Sequence, residues 1–289
     1  MTEAPGALRR WVLAARPRTL PAAAVPVGVG VMVTRPLPIE WLNFLLCIVV
    51  ALALQIGTNY ANDYSDGVRG TDEVRVGPFR LTASRLVPAS WVKYAAWSWF
   101  LIAMASGTWL AERTSWWLVA VGLTAVLAGW FYTGGPKPYG YYGFGELFVL
   151  IYFGFVATVG SSYAQHRTIS STSWWFGLAT GAMACALLEA NNLRDITGDQ
   201  AARKRTLAAR LGRARASWLY ATCVGLTVVG IAAGRLIGVA LVALVVYIPG
   251  LRVAFSPRQG RDLLVLLKLS ARAQLALGVV LIAVFVTTR

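Results

Sequence analysis

Apolar residues dominate this chain in blocks of roughly twenty, the length a helix needs to cross a bilayer. The blocks fall at 20–34, 41–61, 91–111, 115–132, 143–164, 174–192, 217–233, 236–255 and 266–286. The first is broken by Pro21, Pro26 and several glycines, which membrane depth tolerates only where neighbours or a cavity satisfy the released backbone groups. The seventh and eighth part at Gly234-Arg235. Ahead of them stands a basic lead-in over residues 1–19. Its Arg9, Arg10, Trp11, Arg16 and Arg18 suit a short interfacial helix with snorkelling arginines. No internal repeat or low-complexity tract is visible. The pattern predicts an all-α protein, a polytopic membrane helix bundle of about nine transmembrane helices, forming one domain over 1–289. No short apolar stretch with a small-residue cleavage site opens the chain, so no removable signal peptide is expected.

Composition agrees with a membrane protein. The chain is 57% hydrophobic and holds twelve Trp, with a mean hydropathy of +0.59. Charged residues make up 13%, against about one quarter in soluble domains. The cysteines, Cys47, Cys185 and Cys223, all lie in apolar blocks, so neither a disulfide framework nor a thiolate metal site is expected. A net charge of +15 would suit a nucleic-acid binder, but its placement argues otherwise. Of the 27 Lys and Arg, 22 fall in the N-terminus and in the alternate loops 62–93, 133–142, 193–216 and 252–272. That bias puts the N-terminus and these loops in the cytoplasm and the C-terminus outside, in a plasma membrane. The basic charge is therefore mostly topological, and no nucleic-acid partner is expected. The cytoplasmic loops are also longer, more polar and richer in acids, so any chemistry belongs there.

Two acidic runs carry the candidate chemistry. The first starts Asn59-Tyr60-Ala61-Asn62-Asp63-Tyr64-Ser65-Asp66 and reaches Asp72-Glu73, placing four of the twelve acids within eleven positions. If the preceding helix continues through it, Asn59, Asp63 and Asp66 form one stripe, and Gln55 extends that stripe towards the membrane. The second run, Glu189 to Asp199, closes the sixth block. Its Asn192, Asp195 and Asp199 are again spaced for one helical stripe. Several oxygens on one face suit a hard cation such as Mg²⁺, which commonly takes its remaining ligands from substrate phosphates. Basic residues just beyond, at Arg203-Lys204-Arg205, would meet those phosphates. Ionisable groups this close to a bilayer mark functional sites by default. Two other readings stand beside this one. Turn chemistry at two unrelated helix ends would produce similar composition. A cation-coupled transporter also uses intramembrane acids, although such sites lie near the midplane on broken helices.

The runs resemble the two aspartate-rich motifs of the UbiA superfamily of intramembrane aromatic prenyltransferases. Asn59/Asn62-Asp63-Tyr64-Ser65-Asp66 stands for the first and Asp195-Ile196-Thr197-Gly198-Asp199 for the second. Where the first motif often has a third acid, this chain has Gly70, and its next acid is Asp72. Further stretches are similar to the branch that prenylates 1,4-dihydroxy-2-naphthoate. They are Ala15-Arg16-Pro17-Arg18-Thr19-Leu20-Pro21, Gly70-Thr71-Asp72, Arg75-Val76-Gly77-Pro78, Tyr132-Thr133-Gly134-Gly135-Pro136, Gly145-Glu146 and Asn191-Asn192-Leu193-Arg194-Asp195.

The resemblance implies transfer of a polyprenyl group from polyprenyl diphosphate to an aromatic acid acceptor. In this branch the acceptor is 1,4-dihydroxy-2-naphthoate, carbon dioxide is lost, and demethylmenaquinol is formed for menaquinone. The neighbouring branch takes 4-hydroxybenzoate. The resemblance further implies Mg²⁺ held by Asn59, Asp63, Asp66, Asn192, Asp195 and Asp199, with the four aspartates as the catalytic set. Arg69, Arg80, Lys137, Lys204 and Arg205 become candidates for the diphosphate, and Arg18 and Arg194 for the acceptor. Lys137 is the sole cation of a Gly/Pro/Tyr loop. Glu146 reads as a site residue or a first-turn acid, and Glu189, with no cation beside it in sequence, as a functional residue or part of a network.

Overall fold

The computed structural model describes residues 6–71 and 79–288, which are helical with no strand among the described residues. Arg75-Val76-Gly77-Pro78, Asp72 and Glu73 therefore lie outside the described residues. The lead-in forms α1 (Ala7–Ala14); beyond it Arg16 takes the left-handed region (φ 54°) and leads into a 3-10 turn at Pro17–Thr19. Pro21 then occupies the first turn of α2 (Pro21–Met32), where a missing N–H costs nothing. The remaining helices are α3 (Trp41–Val68), α4 (Ala89–Arg113), α5 (Trp117–Phe131), α6 (Gly145–Val149), α7 (Gly160–His166), α8 (Ser171–Ala201), α9 (Leu207–Ala233), α10 (Ile237–Ala254) and α11 (Leu264–Thr288). A π-helical stretch, Leu150–Val159, joins α6 and α7 into one rod.

Each apolar block thus lies on a helix or on this rod, and the all-α class is what the structure has. Among the described residues, five segments are long and apolar enough to cross a bilayer: α3, the Gly145–His166 rod, α9, α10 and Gly260–Thr288. The α2 and α5 helices are 12 and 15 residues long, or about 18 and 22 Å, against a hydrocarbon core of about 30 Å. The break at Gly234-Arg235 is present, with Gly234 capping α9 and Arg235 at φ 69° before α10 begins. Both acid-bearing helices run past their apolar blocks: α3 to Val68 and α8 to Ala201.

Close packing brings these helices around a shared space. A methyl on Gly30 would lie 2.2 Å from the Thr158 carbonyl oxygen, so α2 touches the π-helical stretch backbone to backbone. Gly154 meets Gly177 and Gly181 of α8 in the same way, a small-xxx-small seam typical of membrane helices. One core cluster joins α2 to the helices from α8 to α11 through Val29, Phe176, Met183, Tyr220, Tyr247 and Leu277. A smaller one joins α3 and α4 through Tyr60, Leu81, Val92, Ala96 and Phe100, with Trp11 of α1 packed against it. On the outside, α10 exposes Ile237, Leu241, Val242, Leu244 and Val245, an apolar face suited to lipid.

Candidate active site

A cavity of about 900 Å³ is walled by α2, α3, α4, α5, the π-helical rod and α8. One end is polar: Asn59, Asn62, Asp66, Arg80, Asn191, Asn192, Arg194, Asp199 and Lys204 all line it. From there it runs past Leu54, Ala51 and Cys47 to aromatic residues at Trp117, Tyr163 and Trp174. Asp66 and Cys47 are nineteen residues apart on α3, about 28 Å of helix. Tyr139 stacks on Phe148 at 3.9 Å between ring centroids, and Phe148 on Tyr152 at 6.1 Å, so an aromatic wall leads from the polar end inwards.

Helix geometry decides which α3 oxygens face this space. At about 100° per residue, Gln55, Asn59, Asn62 and Asp66 occupy a sector of about 60°, and Asp63 lies some 40° beyond its edge. All four line the cavity; Asp63 does not. Its carboxylate instead accepts from the backbone N–H groups of Leu81 and Thr82, both at 2.8 Å, and is buried. The anticipated stripe of Asn59, Asp63 and Asp66 is therefore real for its ends only. Asp63 holds the turn after the 72–78 segment, and Asn62 takes its place facing the cavity.

The amides differ in what they present. Asn59 donates its Nδ2 to the Ala15 carbonyl (2.9 Å) and to Thr19 Oγ1 (3.2 Å), while Gln55 donates to the same Thr19 oxygen at 2.9 Å. These bonds anchor the Arg16–Thr19 turn at the cavity mouth and leave the Asn59 carbonyl oxygen for the cavity. Asn62 uses its own oxygen to accept from Thr133 Oγ1 at 2.7 Å. On α8, Asn192 donates Nδ2 to Glu146 Oε1 at 2.9 Å, again leaving its oxygen, whereas Asn191 accepts from Arg194 Nη2 at 2.7 Å. Asn59 with Asp66, and Asn192 with Asp199, are thus oxygen pairs seven residues apart, two turns along one face.

Asp195 behaves as Asp63 does. Its two oxygens accept from Arg194 Nε and Nη2, both at 2.7 Å, and it does not line the cavity. Arg194 has a fully buried side chain, and its Nη1 has no hydrogen-bond partner among the described residues. A buried, unpaired guanidinium donor in a cavity wall is costly unless an anion meets it. Glu146 is networked through Asn192. Glu189 is fully buried, and neither of its oxygens has a hydrogen-bond partner among the described residues.

Asp66 is the meeting point of the polar end. Lys204 Nζ lies 3.1 Å from its Oδ1, and Arg80 Nη2 lies 3.5 Å from its Oδ2. Tyr141 donates its hydroxyl to Oδ1 at 2.6 Å. Burial, and then the Asp66 charge, raises the Tyr141 hydroxyl above its ordinary pKa, so it stays protonated and donating. Asp199 accepts from Thr206 Oγ1 at 3.1 Å, and its backbone carbonyl accepts from the Lys204 N–H at 2.8 Å. Among the described residues no trio of His, Cys, Asp or Glu forms a metal cluster. The fitting donor set is mixed instead, with Asp66 and Asp199 carboxylates and Asn59 and Asn192 carbonyls. Such all-oxygen chemistry suits Mg²⁺ completed by phosphate oxygens.

Other anticipated residues fall elsewhere. Lys137 is exposed and does not line the cavity; nor does Arg205, whose backbone N–H donates to the Tyr141 carbonyl at 2.8 Å. Arg69 donates to the carbonyls of Thr133 and Gly135 and so braces the 133–142 loop. Arg18 lines the mouth but is exposed. Tyr141, Arg16 and Thr19 were not singled out by spacing. A tyrosine in a Gly/Pro-rich loop carries no periodicity to mark it.

Comparison with known proteins adds the class. The model of the UbiA prenyltransferase family matches residues 23–263, and the chain belongs to that family. It is 50% identical over 216 residues to the 1,4-dihydroxy-2-naphthoate octaprenyltransferase of Mycobacterium tuberculosis, covering 73% of each chain. With the enzyme of the same name from Mycobacterium leprae it shares 45% identity over 260 residues, 88% of each. The fold matches a UbiA homolog from Archaeoglobus fulgidus bound to GPP and Mg²⁺ with a TM-score of 0.66. That match has 13% identity and covers 95% of this chain and 99% of the other.

Proposed function

We propose that this chain transfers a polyprenyl group from polyprenyl diphosphate to 1,4-dihydroxy-2-naphthoate with Mg²⁺, releasing carbon dioxide and giving demethylmenaquinol for menaquinone synthesis. The observation that carries the reading is the polar head of the cavity. Two amide–carboxylate pairs, Asn59/Asp66 and Asn192/Asp199, face one apolar space that Lys204, Arg80 and Arg194 border. The octaprenyltransferase relatives at 50% and 45% identity support the acceptor and the donor class.

In this proposal those four oxygen donors would hold Mg²⁺, which when bound would supply positive charge to offset that on the leaving diphosphate. Lys204 and Arg80 meet diphosphate oxygens. Asp63 and Asp195, counted with the metal ligands from sequence, hold the 81–82 turn and Arg194 in place. Arg194 turns its unpaired Nη1 to the acceptor carboxylate, with Arg18 at the mouth. The apolar walls and the Tyr139–Phe148–Tyr152 series take the isoprenoid chain and keep water from the reacting carbon. The allylic C–O bond breaks, a C–C bond forms at the ring carbon bearing the carboxylate, and the C–CO₂ bond then breaks. Its electron pair returns to the ring. The whole chain acts as one domain with nine crossings in the plasma membrane, and the site and N-terminus face the cytoplasm.

Purified protein given polyprenyl diphosphate, Mg²⁺ and each acceptor in turn tests this. A fused ring buries more apolar area than a single ring, worth about 25 cal/mol per Å². 1,4-Dihydroxy-2-naphthoate should therefore be prenylated at least about tenfold more efficiently than 4-hydroxybenzoate, with carbon dioxide released in equal amount. Equal or reversed preference would move the chain to another branch.

A further inference from the structure

Tyr141 sits where three segments of the chain come together. Its hydroxyl donates to Asp66 Oδ1 at 2.6 Å, within the range of a charge-assisted O–H···O⁻ bond, and lies 3.4 Å from Thr71 Oγ1. The Lys204 ammonium stands 4.6 Å from its ring centroid, and the Arg69 guanidinium carbon 5.7 Å. Its backbone carbonyl takes the Arg205 N–H at 2.8 Å. One residue therefore ties the end of α3, the 133–142 loop and the 203–206 connection into a single rim, and it lines the cavity itself.

We infer that Tyr141 is a positioning residue: its hydroxyl fixes the rotation of the Asp66 carboxylate, and its ring seats Lys204 beside that carboxylate. A carboxylate on a free χ2 has a broad torsional well, so a metal ligand at the end of a helix gains from a partner that holds one oxygen. Lys204 and Tyr141 share Oδ1, while Oδ2 lies 3.5 Å from Arg80 Nη2, so both oxygens of the carboxylate are held. The ring contributes separately. Lys204 is a flexible ammonium, and an aromatic face at 4.6 Å restricts where it can stand. Hydroxyl and ring thus serve different ligands of the site: the hydroxyl serves the metal and the ring serves the diphosphate. This inference rests on the reading of Asp66 as a metal ligand.

Two substitutions separate these roles, with full-length protein in detergent or nanodiscs and Mn²⁺ alone as the probe, followed by its spin-resonance signal. Tyr141→Phe keeps the ring and should raise the Mn²⁺ concentration for half-occupancy about tenfold, the size expected for one hydrogen bond to a charged group. The same shift should appear in the Mg²⁺ dependence of turnover, and added Mg²⁺ should restore turnover, which a misfolded protein would not allow. Tyr141→Leu should add a rise of about threefold or more in KM for polyprenyl diphosphate. A Tyr141→Phe protein with an unchanged Mn²⁺ curve, while Asp66→Asn loses Mn²⁺ binding, would overturn the inference and leave the metal site standing. Equal diphosphate KM in the Phe and Leu proteins would overturn the role given to the ring. Unaltered Mn²⁺ binding in Asp66→Asn would instead remove the metal reading beneath it.

Discussion

The two acid-bearing helix ends are built alike and held differently. Each presents an amide oxygen and a carboxylate seven residues apart, Asn59/Asp66 on α3 and Asn192/Asp199 on α8, and each turns an intervening aspartate into the protein. On α3 the cavity carboxylate is reached by Lys204, Arg80 and Tyr141, from three other parts of the chain. On α8, Asp199 is reached by Thr206, seven residues on. Asp66 therefore joins three other parts of the chain, and Asp199 binds the connection that follows its own helix. The intervening acids differ too: Asp63 caps distant backbone, and Asp195 clamps its own neighbour.

If that difference is functional, substitutions should rank. Asp66→Asn removes the charge on which all three partners converge, and kcat should fall about 10²–10³-fold, the range seen when a preorganised electrostatic group is lost. Asp199→Asn removes the matching carboxylate on α8 and should also lower kcat, by at least about tenfold; unchanged turnover would take Asp199 out of the site. Asp63→Asn should act on stability instead. It weakens two buried bonds to a charged acceptor, a loss of about 1–3 kcal/mol, visible as a lower Tm with turnover per folded molecule largely kept. A normal Tm with abolished turnover would return Asp63 to the metal ligands. The smallest effect belongs to Lys137→Ala. Lys137 is exposed and away from the cavity, so KM for the diphosphate should change by no more than about twofold.

Much of this was legible in the sequence, and the gaps have physical causes. Length and hydropathy of the blocks located the helices, and even the short break at Gly234-Arg235 is where the polar pair stands. The stripes depend on each helix continuing through its acidic run, and α3 and α8 both do so. What spacing could not choose was between Asn62 and Asp63. Both lie within about 60° of Asn59, and the choice is made by the Leu81–Thr82 backbone, eighteen and nineteen residues further on. Arg194 and Asp195 are sequence neighbours whose side chains leave a helix about 100° apart, yet the long arginine curls back to grip the carboxylate. Tyr141 escaped because loop residues acquire their neighbours from the folds they connect. Lys137 drew notice as a lone charge, but charge without a neighbour is only a surface.

Whether the two helix ends form one site is decided by a double-mutant cycle between Asp66 and Asp199. Turnover would be measured for Asp66→Asn, Asp199→Asn and the double substitution in the same membrane preparation, with Tm recorded for each. Residues that act as a unit lose little more together than the worse one alone. If they act as one site, the double variant falls within about threefold of the more impaired single variant. Losses that multiply across the two positions would mean that α3 and α8 act independently, and would contradict the single site.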